Sequence, residues 1–206
     1  MSETLFNIVP ASDRITPAAL LHIEVIADFV CPFSFLGKRR LDRALKAVQG
    51  PAQSSWYPFQ LTPEMPPEGL PFEQYLQLRF GGRDNIEPVL EHLRDEGRAD
   101  GIRFDFDRIR HVPSTLPAHQ VMQAVESRGE DATVLAEGLM SAFFEQGLNI
   151  GEQDVLVDLA AAAGLTASET RKAIGSDLAR QAVVTREAQV RSSGLNAAPG
   201  FLLNRR

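Results

Sequence analysis

The 206-residue chain holds a single cysteine. It stands in Asp28-Phe29-Val30-Cys31-Pro32-Phe33-Ser34-Phe35-Leu36-Gly37, between a strand pattern and a helix pattern, so Cys31 falls at a helix N-terminus. Pro32 suits the first helical position, where its missing N–H costs nothing and its fixed φ is already helical. A thiol placed there faces unpaired N–H groups and the positive end of the helix dipole, which favours thiolate, the reactive form. Ser34 occupies the place of the second cysteine in a C-x-x-C pair. Its hydroxyl can donate to the sulfur but cannot close a disulfide, and as a favourable helix-start residue it equally suits capping. The plainer reading of Cys31 is a small buried hydrophobe.

Other residues admit two readings each. Asp28, three before Cys31, is either a proton relay or a strand-end cap. His119 lies on a predicted helix, on the face away from Val121 and Val125, and reads as an exposed residue or as one packed on the helical lobe. Lys38-Arg39-Arg40 is either a solvated turn or an anion contact near the thiol, such as one for a glutathione carboxylate. Trp56 and Phe59 read as core rather than as a ligand platform. One cysteine and four scattered histidines give no metal-ligand spacing, so no metal is expected.

The elements that must position these groups follow from periodicity. Leu21–Ala27 alternates with β-branched residues as a strand does, while Phe33, Leu36, Leu41, Ala44, Leu45 and Val48 recur at helical spacing. Ser55–Leu61 is a second strand that Pro58 places at an edge or bulge. A Pro-rich stretch, 62–71, then takes the chain out of the sheet. From Phe72 the pattern is helical: one segment to Phe80, one through Ile86 to Leu93, one through Val121 to Val125. Gly101–Phe106 alternates and is expected to be extended. Val134–Phe144 is the clearest amphipathic helix, with Gly147 in a C′-like position. Asp154–Ala163 follows, then a helix opened by the capping box Thr166-Ala167-Ser168-Glu169, then Asp177–Arg191. Leu195–Asn204 returns to strand character. The fold class is therefore α/β with a helical insertion.

Composition bounds the rest. With 44% hydrophobic and 23% charged residues, the chain can bury one good core. A net charge of −6 and the absence of a long basic run argue against nucleic acid and anionic membranes. Met1–Ala19 lacks the features of a secretory signal and no stretch is long and apolar enough to span a membrane, so a reducing cytoplasm is expected.

The residues support a resemblance. Asp28 to Leu41, then Trp56-Tyr57-Pro58-Phe59-Gln60-Leu61 with Pro63-Glu64-Met65-Pro66, then Thr115 with Ala118-His119, Ala142-Phe143-Phe144 with Asn149-Ile150, and Ala197-Ala198-Pro199 before Phe201 occur in the order found in one family. Over Ile23–Asn204 the chain resembles the cytoplasmic DsbA-like thioredoxin-fold oxidoreductases, neighbours of the kappa-class glutathione transferases and the 2-hydroxychromene-2-carboxylate isomerases. The resemblance implies a thioredoxin-like domain over 21–65 and 193–206, an all-helical domain over 66–192 inserted after the second strand, and residues 1–20 as an N-terminal extension. It implies a cleft between the two domains in which Pro32, Phe33, His119, Ala198 and Pro199 meet the substrate. It also implies that Pro199 is cis and faces Cys31, so that the Ala198 backbone can pair with a bound thiol peptide.

Two departures stand out. Disulfide-exchanging members carry Cys-Pro-Trp-Cys or a similar pair, and the transferase and isomerase relatives a Ser-Pro-Tyr-Ser type of motif; Cys-Pro-Phe-Ser lies between them. The family also continues past the late strand with another strand and a closing helix, so either truncation or an edge supplied otherwise is expected, and a homodimer is one way to supply it. Three functions follow. The first is a monothiol thiol–disulfide oxidoreductase acting through Cys31, resolved by an external thiol such as glutathione, with no permanently bound cofactor. The second is a glutathione-dependent isomerase or transferase in which Cys31 and Ser34 activate the glutathione sulfur. The third is a non-catalytic binding module.

Overall fold

The computed structural model describes residues 20–48 and 50–204. The expected N-terminal extension falls, apart from Leu20, outside the described residues.

Strand β1 (Leu21–Ala27) is the centre of a three-stranded sheet of order β2-β1-β5. It is buried from Ile23 onward, as a strand covered on both faces must be. β2 (Ala52–Pro58) runs parallel to it with Ile23 opposite Ser54, and β5 (Gly200–Leu203) antiparallel with Val25 opposite Phe201. Helix α1 (Pro32–Ala47) connects β1 to β2. The second strand begins three residues earlier than its side-chain pattern suggests and ends at Pro58. Beyond Pro58 the Phe59 N–H still donates to the Ala27 carbonyl at 3.2 Å, and then side chains take over: the Gln60 N–H donates to Glu187 at 2.9 Å, and the Gln60 carbonyl accepts from Arg191 at 2.6 Å.

A helical block follows: α2 (Phe72–Phe80), α3 (Arg83–Ala99), α4 (Leu116–Ser127), α5 (Thr133–Phe144), α6 (Gln153–Ala161), α7 (Ala167–Ile174) and α8 (Asp177–Ser192). The capping box forms as expected, with the Thr166 side chain accepting from the Glu169 N–H and the Glu169 carboxylate accepting from the Thr166 N–H at 2.8 Å. α5 is buried on nearly every side rather than on one stripe, though Val134 is exposed. Gly147, at φ +69°, lies so close to the Arg108 carbonyl that a Cβ would fall 2.5 Å from its oxygen.

Gly101–Phe106 is loop and not strand. Ile102, Phe104 and Phe106 are all buried, and the Phe104 ring stands edge-on to Phe35 of α1 and Phe144 of α5. Here the alternating pattern reflects side chains dropped into a core, with no partner strand. The pairing inside the block is between β3 (Leu70–Pro71) and β4 (His111–Val112), too short to leave a periodicity. One hydrophobic cluster runs from Ile23 and Val25 of the sheet through Phe35 of α1 to Leu139 and Phe144 of α5, so sheet and helical block share a core. Among the described residues, no helix is long and apolar enough to cross a membrane.

Candidate active site

Cys31 is the N-cap of α1, in extended backbone geometry (φ −96°, ψ 112°), with Pro32 in the first turn. Its N–H donates to the Asp28 carbonyl at 3.2 Å and its carbonyl accepts from the Ser34 N–H at 3.0 Å, closing the strand-to-helix corner. The thiol donates to the carbonyl of Ala198 at 3.5 Å. The Ala198–Pro199 bond is cis, as the resemblance implies. Pro199 itself packs on α1, where a Cβ on Gly37 would lie 3.1 Å from its ring.

The electrostatics differ from the expectation for a helix start. Cys31 is 2% exposed, and burial pushes its thiol up in pKa. The Ser34 hydroxyl and the Ser34 and Phe33 amides pull it down and the Asp28 charge pushes it up, leaving the balance on the raised side. Desolvation of the anion outweighs these hydrogen bonds at the helix start, so the resting group is the thiol. Ser34 is buried beside it and contributes to the sulfur's environment, and its hydroxyl also accepts from the Asp28 N–H at 3.4 Å.

Asp28 is 1% exposed and both carboxylate oxygens are taken up. One accepts from the Phe29 N–H at 2.9 Å, the other from the Leu61 N–H at 2.7 Å, which ties the end of β1 to the segment after β2. The His119 Nε2 lies 3.4 Å from the first oxygen, and its ring sits 4.6 Å from that of Phe29. His119 is thus buried, which corrects the exposed reading. It backs Asp28 rather than lining the space at Cys31. Trp56 and Phe59 are core residues, Trp56 in the shared cluster and Phe59 beneath the Arg191 guanidinium.

The anion-contact reading of Lys38-Arg39-Arg40 is also corrected. Lys38 is buried with its ammonium 2.6 Å from Asp42 and 2.7 Å from Glu137 of α5, and Arg39 meets the same glutamate. Arg40 and Arg43 both bind Asp100, just past α3. These cations fasten α1 to the helical block.

Cys31 opens into a cavity of about 240 Å³ between the sheet end and the helical block. Pro32, Phe33 and Ala198 line it with Cys31, and Phe33 is 50% exposed at its mouth. Pro199 and His119 are not among its walls. Leu61, expected at the end of the second strand, and Tyr75, expected on the first helix of the helical block, also form part of the wall. Helical spacing placed Tyr75 on an inward face, but nothing local says that this face borders a cavity. Among the described residues, no cluster of three or more His, Cys, Asp or Glu side chains is arranged to hold a metal.

A family model described as a DSBA-like thioredoxin domain matches residues 22–206. A Bacillus subtilis (strain 168) protein, YwbO, described as uncharacterized, is 27% identical over 193 residues, covering 89% of this chain and 86% of its own. Among solved structures, a probable DsbA oxidoreductase from Streptomyces coelicolor superposes with a TM-score of 0.80 at 24% identity, over 90% of this chain and 81% of that one. The cytosolic disulfide reductase DsbM from Pseudomonas aeruginosa, solved with GSH, gives a TM-score of 0.64 at 19% identity, over 90% and 87% of the two chains.

Proposed function

This chain belongs to the DSBA-like thioredoxin family, and from that premise we propose that it is a thiol–disulfide oxidoreductase working with one thiol. The observation that carries the reading is the position of Cys31, the chain's sole cysteine, on the wall of a cavity and against the Ala198 carbonyl at the start of α1. The Cys31 sulfur attacks one sulfur of a substrate disulfide. A Cys31–substrate S–S bond forms, the original S–S bond breaks, and the departing sulfur leaves as a thiol with the proton that Cys31 gives up. Ser34 cannot resolve the mixed disulfide, so an external thiol attacks it and returns Cys31 to its reduced form. Glutathione is the resolving thiol we propose; the GSH carried by the similar DsbM structure supports it. A reducing cytoplasm, which supplies that thiol, is the setting in which such a cycle turns over.

Intact mass after equilibration with oxidised glutathione tests the reading. One glutathionyl adduct is expected, absent from Cys31→Ser and reversed by reduced glutathione. No adduct across the pH range of the folded protein would overturn it.

The burial that keeps Cys31 protonated favours a second reading, a glutathione-dependent isomerase or transferase in which Cys31 and Ser34 hydrogen-bond a bound glutathione sulfur. Reduced-glutathione binding that survives Cys31→Ser supports it; no detectable binding removes it.

A further inference from the structure

The cavity at Cys31 has an unusual wall. Of the residues that line it, only Cys31 and Tyr75 carry a polar side-chain atom; the rest are aliphatic, aromatic or proline side chains. No lining residue carries a charge. Glutathione carries two carboxylates and an ammonium, and no side chain lining the cavity carries a charge to pair with them; burying such groups unpaired is prohibitive. A peptide segment meets the same objection, because its backbone N–H and C=O groups would find almost no partners there. An uncharged organic body meets no such cost.

Resting on the thiol-exchange reading above, we propose that the substrate half seated in this cavity is a small, uncharged, apolar group, aromatic or branched aliphatic, bonded directly to the sulfur that Cys31 attacks. The volume sets the size. An apolar cavity of roughly 150 Å³ holds benzene, so about 240 Å³ takes one ring with a few further atoms. The mouth is apolar too: Phe33, Phe80 and Val89 line it and are each more than a third exposed. A glutathione that resolves the mixed disulfide brings only its thiol end into this space and keeps its charged ends outside it.

Tyr75 adds its ring to this apolar wall, edge-on to Phe80 at 6.2 Å, while its hydroxyl lies beside the Thr62 side chain, which is not among the lining residues. Cys31 forms the new S–S bond and the departing sulfur takes the electron pair, so no further oxidant or reductant enters.

The test compares rates of mixed-disulfide formation at Cys31 of the full chain with 4,4′-dithiodipyridine, neutral and aromatic, and with hydroxyethyl disulfide, small and polar. Each rate is divided by that of free N-acetylcysteine with the same reagent. The expected normalised preference for the aromatic reagent is about tenfold or more, the scale of removing one ring from water. Val89→Asp, which brings a charge to the exposed rim, is expected to bring that preference towards one. Tyr75→Phe keeps the ring and is expected to leave the preference intact. A preference near one, with both reagents reacting, overturns the apolar-substrate assignment and leaves thiol exchange standing. A cystine peptide bearing phenylalanine that outpaces dithiodipyridine after the same normalisation overturns the small-molecule assignment. Loss of the preference in Tyr75→Phe, which keeps every apolar surface of the wall, overturns the assignment of the preference to that surface. Failure of every reagent to form a mixed disulfide overturns the exchange reading itself.

Discussion

The Cys31 sulfur lies 3.5 Å from the Ala198 carbonyl oxygen, across 167 residues of sequence. That contact joins the start of α1 to the loop before β5 and gives the resting thiol an acceptor. Burial is what holds the group as a thiol, because a thiolate at this position would lose its water.

Alkylation of Cys31 against pH reports this directly, since no other thiol reacts. Burial raises the thiol above the free-cysteine value of about 8.5, so the midpoint of the rate profile is expected above it. Because the Ser34 hydroxyl works in the opposite direction, Ser34→Ala is expected to move the midpoint further up. A midpoint well below 8.5 would show that the helix start dominates after all.

Stability against alkaline pH follows by linkage. The folded pKa is raised, so the unfolded chain releases the Cys31 proton first. The fold's advantage is intact below the unfolded value of about 8.5 and declines as pH rises from there through the folded pKa. Urea midpoints of the parent and of Cys31→Ser between pH 7 and 10 measure it. The parent is expected to lose more stability over that interval, and parallel curves would contradict the linkage.

Asp28 is expected to matter to stability through the backbone it holds. Asp28→Ala leaves the buried Phe29 N–H without an acceptor, at about 1–3 kcal/mol, and the part-buried Leu61 N–H without one at a smaller cost. Asp28→Asn keeps one oxygen as acceptor and is expected to lose less. Equal urea midpoints for the two variants would argue that the carboxylate's geometry plays no part.

Lys38 is expected to be the most costly charge to remove from α1. Its ammonium is buried between Asp42 and Glu137, but both carboxylates are partly exposed and Glu137 keeps Arg39, so the loss is expected below the roughly 3–5 kcal/mol of a fully buried pair. Lys38→Met should still destabilise measurably, and Lys38→Met with Glu137→Leu should recover part of the loss. A double variant no better than the single, by thermal or urea melting, would count against the pairing.

The single cysteine, the proline after it and the switch from period two to period 3.6 are local features, and they placed β1, the corner and α1 correctly because each depends on neighbours within a turn or two. The capping box at Thr166 is legible for the same reason. The resemblance supplied what periodicity could not, the cis bond before Pro199. Tertiary structure decided the rest. Whether Lys38-Arg39-Arg40 meets solvent, an anion or a carboxylate depends on α3 and α5, more than fifty residues away. Gly101–Phe106 alternates like a strand, yet whether its backbone pairs depends on a partner that no window of sequence contains. The protonation of Cys31 is the clearest case. Its helix position is local and favours the anion, but its solvation is set by the groups packed around it from across the chain, and in this fold desolvation wins.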